Sequence, residues 1–177
     1  MKLARAIDGI RRKRVEALYL SAFPKSERKP YELMVGKQEE GFVDIFSLEE
    51  DNEFIGLAIL VKKADLVLLD YFAIDDEKRD GGYGSRALEA IFSYYSGKRL
   101  VLEIESTVGE APNYEDRIRR KAFYLRNGLT ELFCSVRLFG IEMELLSNGH
   151  AVSFEEYQGI YAAAFGARIC EFVRQIS

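Results

Sequence analysis

Apolar and polar positions alternate along this chain in two rhythms, and the switches between them mark its elements. Residues 2–7 suggest a short first strand. Val15, Leu18, Tyr19 and Ala22 then share one helical stripe, which Phe23-Pro24 ends. KSERKP (25–30) is a polar loop, and Pro30 suits the first turn of a second helix near 31–40. FVDIF (42–46) alternates and FIGLAILV (54–61) is continuously apolar, with EEDNE between them as a hairpin turn. Ala64-Asp65 turns the chain into LVLLDYFAI (66–74), a buried strand. Leu88, Ile91, Phe92 and Tyr95 then give one face of a helix over 84–96, which Gly97 stops.

KRLVLEIES (98–106) returns to a strand. Asn113 and Asp116 resemble a capping box for a helix whose stripe runs through Ile118, Ala122, Leu125 and Leu129, with Gly128 at its end. Strands follow at about 130–138 and 140–147. Asn148-Gly149 is a hairpin signal. Ser153 with Glu156 forms a second capping box, opening a helix toward 174. Gly159 and Gly166 cost about 1 kcal/mol each inside it relative to alanine, which allows a break there. The order β-α-α-β-β-β-α-β-α-β-β-α predicts a mixed α/β sheet with helices on both faces.

Composition narrows the function more than the fold. A length of 177 residues suits one domain with a real core. With 48% hydrophobic and 31% charged residues, the chain reads as a globular protein. A net charge of −4 argues against nucleic acid as a partner. No apolar run nears a membrane span, and the N-terminal MKLARAIDGIRRKR lacks a signal-peptide core. Cys134 and Cys170 form no C-x-x-C pair, which fits a reducing cytoplasm. His150 has no ligand cluster around it, so neither a metal nor a triad is expected.

The chemistry centres on EKRDGGYGSR (77–86), where a strand passes through glycines straight into a helix. Such a helix start offers unpaired N–H groups to an anion. It is not a P-loop, since no lysine follows the glycines. Gly82-Tyr83-Gly84 supplies half of a dinucleotide fingerprint, with Ala87 in the last place, but the strands before it read as an antiparallel meander. Arg79-Asp80-Gly81-Gly82-Tyr83-Gly84 instead matches R-x-x-G-x-G.

Here the sequence resembles the GNAT family of N-acetyltransferases. FAIDDEKRDGGYGSRAL is similar to that family's strand, pyrophosphate loop and helix, and AFYLRNGL (122–129) to its later helix. The likeness covers residues 2 to 147. It implies a mostly antiparallel sheet with a central splayed strand pair, residues 1–147 as an acetyltransferase core, and 148–177 as a C-terminal hairpin and helix extension. It also implies acetyl-CoA as the cofactor and direct acetyl transfer to a primary amine, on a small molecule or a peptide N-terminus.

Residue by residue, the resemblance implies that backbone groups of Arg79, Asp80, Gly81, Gly82, Tyr83, Gly84 and Ser85 hold the pyrophosphate. Arg79 and Ser85 would add a charge and a hydroxyl. Phe72, Ala73 and Ile74 would pair with the pantetheine arm as a strand would, and an N–H near Ala73 or Ile74 would steady the oxyanion. Tyr124 matches the family's tyrosine and would protonate the departing sulfur. Glu103, in Leu102-Glu103-Ile104, resembles the base of ribosomal-protein acetyltransferases; Glu105 and Asp70 are the other candidates. Arg119 stands where the family often has a cofactor-binding asparagine. The remaining basic residues of that helix read mostly as a solvated face. The acidic balance mildly favours a cationic acceptor. The aromatic C-terminal helix could close the acceptor pocket, pack under the sheet or form a homodimer seam. A rival reading keeps the fold but makes the chain a non-catalytic sensor of acyl-CoA or a protein-binding module; a nicotinamide enzyme comes third.

Overall fold

The computed structural model describes residues 1–176. Its elements are β1 (Lys2–Arg5), α1 (Gly9–Ala22), α2 (Tyr31–Glu39), β2 (Val43–Glu50), β3 (Glu53–Lys63), β4 (Leu66–Ile74), α3 (Tyr83–Tyr94), β5 (Arg99–Glu105), α4 (Tyr114–Arg126), β6 (Thr130–Leu138), β7 (Ile141–Ser147), α5 (Phe154–Phe165) and β8 (Val173–Gln175). Short 3₁₀ stretches lie at Asp76–Lys78, one turn, and Ala167–Phe172, two turns. The chain divides into two compact units. One contains Met1–Lys62 and Leu69–Ser96; the other contains Lys63–Leu68 and everything described from Gly97 onward.

In the first unit, β2 pairs antiparallel with β1 and with β3, placing Phe46 opposite Ala58. β4 follows beside β3. Successive β2 side chains point to opposite faces, and each face has a helical cover. On one, Arg11 of α1 donates to Glu49, and the Gln38 amide of α2 accepts from the Ile45 N–H. On the other, Tyr94 of α3 stacks edge to face on Phe46, and Tyr95 donates to Asp44. Both faces are therefore covered, which is why β3 reads as a nearly continuous apolar run, while the polar Asp44 and Ser47 of β2 are buried with hydrogen-bond partners. Ile45, Phe46, Leu48, Leu57, Ile59 and Leu60 are fully buried. The EEDNE turn closes through Asp51 and Asn52, both with positive φ, the conformation a two-residue hairpin loop requires.

In the second unit the strands run β5-β7-β6-β8, all antiparallel. Glu103 lies opposite Leu145 and Ile104 opposite Glu144, so Glu103 and Glu144 face opposite sides. α5 covers the Glu103 side and Lys121 of α4 reaches the Glu144 side. Among the described residues, no helix is long and apolar enough to cross a membrane.

Four expectations change. Asn148-Gly149 makes no hairpin: the Asn148 side chain bonds to the Leu100 N–H and the Lys98 carbonyl, and the chain turns into α5 instead. The last helix stops at Phe165, because Gly166 takes φ +89°. Gly159 stays helical, with the end of the Lys63 side chain lying over it. Beyond Gly166 the chain forms β8, which pairs with β6. Asn113 caps nothing; its amide bonds to Glu105, and Asp116 pairs with Arg119.

The fourth change is the inward face of α4. Within the helix the expected stripe lies outside: Ile118 and Leu125 are each 38% exposed and Ala122 is exposed, while Leu129, past the helix end, is buried. The buried residue is Tyr124, and the residues one and two turns before it, Lys121 and Arg117, also turn inward. Carboxylates on the strands receive them, at 2.6 Å for Lys121 to Glu144 and 2.7 Å for Arg117 to Glu105. A periodicity argument assumes an apolar inner face, and ion pairing inverts that assumption here.

Candidate active site

The turn from β4 into α3 lies wholly in the first unit. After Ile74 the chain makes a short 3₁₀ turn, capped by the Asp75 side chain on the Glu77 N–H. Asp80 and Gly82 then adopt φ of +65° and +70°. The left-handed residue at 82 is the N-cap of α3, where a side chain would add strain. No side chain caps this helix. Among the described residues, the N–H groups of Gly82, Tyr83, Gly84 and Ser85 have no acceptor. First-turn donors point out along the helix axis, where the dipole also favours negative charge. The loop is thus a cradle of unspent donors, and it fits a diphosphate.

Its side chains stabilise the loop from outside. Arg86 donates to the Gly81 carbonyl at 3.0 Å, pairs with Glu50 at 2.8 Å, and lies 4.4 Å from the centre of the Tyr83 ring. Arg79 pairs with Asp76 at 2.5 Å and is 61% exposed at its side chain. In this structure Arg79 therefore serves the preceding turn; its charge stays at the rim of the cradle.

Beneath the end of β4 sits Gly56 of β3. A Cβ there would come within 2.3 Å of the Ala73 carbonyl oxygen and 3.0 Å of the Ile74 Cα. Only glycine lets β3 pass so close. The Asp75 N–H bonds to the Ile55 carbonyl at 2.9 Å, fixing the register where β4 gives way to the loop. Phe72, Ala73 and Ile74 are half-buried. The sequence held a signal for this position, a lone glycine inside an apolar strand.

Asp70, one of the candidate bases, is ion-paired. Lys29 Nζ stands 2.9 and 2.8 Å from its two oxygens, and the Asp70 side chain is 4% exposed. The Tyr71 hydroxyl accepts from the Lys29 N–H and donates to the Glu27 carbonyl, pinning the 25–30 loop to β4.

The second unit holds Tyr124, Glu103, Glu105 and Arg119. Tyr124 is 8% exposed, and among the described residues its hydroxyl has no hydrogen-bond partner. Burial pushes its phenol up to about 12, partly offset by the Arg120 charge. Tyr124 is thus a largely buried tyrosine that keeps its proton firmly. Glu105 is claimed by Arg117, Arg120 and Asn113. The half-buried Glu103 accepts from the hydroxyls of Tyr157 at 2.5 Å and Tyr161 at 2.6 Å. Arg119 is 77% exposed at its side chain and pairs with Asp116.

No protein-family model matches the chain, and no curated protein matches it. Solved structures do. A protein assigned to the GNAT family, from Bacteroides thetaiotaomicron, superposes with a TM-score of 0.80 at 23% identity, covering 94% of this chain and 99% of its own. An aminoglycoside 6′-N-acetyltransferase complexed with coenzyme A gives 0.63 at 10% identity, covering 83% and 96%. The ribosomal-protein-S18-alanine N-acetyltransferase from Escherichia coli gives 0.62 at 16% identity, covering 86% and 95%. The chain therefore has the GNAT fold, as the family resemblance implied.

Proposed function

We propose that this protein is an acetyl-CoA-dependent N-acetyltransferase acting on a primary amine. The observation that carries the reading is the Gly82–Ser85 cradle, whose donors lie uncommitted at the end of β4. Coenzyme-bound or amine-modifying neighbours with the same fold support it.

Acetyl-CoA would supply the acetyl group as an activated thioester. The N–H groups of Gly82, Tyr83, Gly84 and Ser85 would hold its diphosphate, with Arg79, Asp80 and Gly81 forming the entry to the cradle. The backbone of Phe72, Ala73 and Ile74 would align the extended amide arm as an added strand does, and an N–H at Ala73 or Ile74 would face the developing oxyanion. Arg119, at the surface of α4, would meet the adenosine end.

Tyr124 presents its phenol proton to the departing sulfur. Against a thiol near 8.5, a phenol near 12 gives up its proton uphill by about 5 kcal/mol. Tyr124 would therefore act as a hydrogen-bond donor in the transition state rather than as a group that ends the step ionised; the sulfur would leave as a thiolate and become the free thiol by taking up the second proton that the acylated nitrogen gives up. Glu103 receives the acceptor amine and takes its proton, directly or through a water. Asp70 and Glu105 are the weaker choices, since Lys29 and Arg117 already neutralise them.

The acceptor class follows from Glu103: an amine that arrives as an ammonium, on a small molecule or a peptide N-terminus. The two cysteines are unpaired, and we take the cytoplasm as the compartment.

Mixing the protein with acetyl-CoA and a panel of amines should release free thiol. Tyr124→Phe should lower kcat by about ten- to a thousand-fold and leave coenzyme A affinity nearly unchanged. Binding of coenzyme A with no thiol release on any amine would make the chain an acyl-CoA-sensing module.

A further inference from the structure

The contact of α5 with β5 is polar where an apolar one would serve. Tyr157 and Tyr161 lie one helical turn apart, are fully buried, and stack edge to face with ring centroids 5.6 Å apart. Their hydroxyls converge on a single atom, Glu103 Oε1, at 2.5 and 2.6 Å. Phenylalanine at either position would fill the same space. The hydroxyls are therefore not needed for α5 to cover the strand, and burying them with a carboxylate carries a desolvation cost. What they provide is two charge-assisted hydrogen bonds, which favour the ionised carboxylate and fix its plane. Glu103 remains half-buried, so the group held this way is not sealed inside the core.

We propose that Tyr157 and Tyr161 are positioning residues for the acceptor amine: acting through Glu103, they hold its carboxylate ionised and in one orientation, so that α5 completes the acceptor subsite. The inference rests on the reading of Glu103 as the group that receives the amine. It assigns acceptor recognition to a helix that follows the last strand of the expected core, and it limits acceptors to those that dock as ammonium ions.

The test uses Tyr157→Phe, Tyr161→Phe and the double variant, each also combined with Glu103→Gln. Amine binding to the coenzyme A-loaded protein is read by calorimetry, beside steady-state kinetics with acetyl-CoA. Each single change should lower kcat/KM for the amine about five- to ten-fold, and should weaken amine binding to match. Acetyl-CoA KM should stay within about two-fold. On the Glu103→Gln background the same tyrosine changes should add less than about two-fold, because the carboxylate they act through is gone.

Tyrosine effects that multiply fully with Glu103→Gln would overturn the proposal. So would losses that shift acetyl-CoA affinity or the melting temperature as much as they shift the amine. If the wild type turns over and the Phe variants match it, the positioning role fails while the transferase reading stands. If coenzyme A binds, no amine is acetylated, and amine binding still depends on both hydroxyls and on Glu103, the positioning role stands and the transferase reading fails.

Discussion

Tyr124 changes most between what its position implies and what its surroundings impose. A phenol with an ordinary value near 10 is a fair acid toward a thiolate; one held near 12 is a poorer acid but an unfailing donor. Because the folded-state value lies above the unfolded one, its contribution to stability is fully present below about pH 10 and is lost as pH rises through 12. Ultraviolet titration at the phenolate band should show one fewer tyrosine ionising late in Tyr124→Phe than in the wild type. The kcat profile of the wild type should carry no alkaline limb from this residue below pH 10. A limb near 9 that disappears in Tyr124→Phe would refute the assignment of the raised phenol.

At the scale of elements, the β3–β4–α3 passage depends on two glycines for different reasons. Gly82 is needed for its left-handed φ, and Gly56 for the 2.3 Å that a Cβ would leave to the Ala73 oxygen. Gly82→Ala should cost about 1 kcal/mol of stability, seen as a lower denaturation midpoint, and should weaken coenzyme A about ten-fold by tilting the cradle donors. Gly56→Ala should cost more, about 2 to 3 kcal/mol, because the obstacle is backbone and cannot rotate away. Its coenzyme affinity should fall along with its stability.

The first glycine was plainly legible in the sequence and the second only faintly, and the difference is physical. A strand that runs into a helix through Gly-Gly-Tyr-Gly declares a local backbone need. Close approach between two strands is a tertiary fact, marked only by a small residue in an apolar run. The α5 capping box was equally legible, and Ser153 and Glu156 do cap each other's backbone. The inner face of α4 was hidden, because Arg117 and Lys121 turn inward, half-buried, toward Glu105 and Glu144, residues on other elements. β8 was hidden too: three residues are too few for a period, and their pairing depends on the register with β6. The carboxylates were correctly placed on β5 and β4, but the partners that separate them, Tyr157, Tyr161, Arg117 and Lys29, come from elsewhere in the chain.

For the whole molecule, buried polar groups set the limits of stability. Burial, together with neighbouring hydroxyls and carboxylates, raises the phenols of Tyr19 and Tyr95, and burial pushes Tyr31 up to about 12. All three, with Tyr124, must ionise against the fold as the solution turns alkaline. The melting temperature should therefore hold steady to about pH 10 and fall steeply above it. On the acid side, the hydrogen bond from Arg11 holds Glu49 below the usual carboxylate range, so its share is present above about pH 4.5 and is lost as pH falls. Asp44 gathers three such contacts at one buried carboxylate. It is 3% exposed and takes Tyr95 at 2.6 Å, Lys62 at 2.8 Å and Arg5 at 3.1 Å. Asp44→Asn should destabilise by about 2 to 3 kcal/mol, since two half-exposed cations lose the buried negative charge they share and one of its two acceptor oxygens. A change under 1 kcal/mol in chemical denaturation would show that water replaces the carboxylate.

The uncommitted amides from Gly82 to Ser85 also make the choice of buffer an experimental variable. If these donors hold the diphosphate as proposed, sulfate or inorganic phosphate should compete for them, so tens of millimolar of either should raise the apparent Kd for coenzyme A, while chloride at matched ionic strength should raise it far less. Affinities for coenzyme A measured in phosphate buffer would then come out weaker than those measured in chloride.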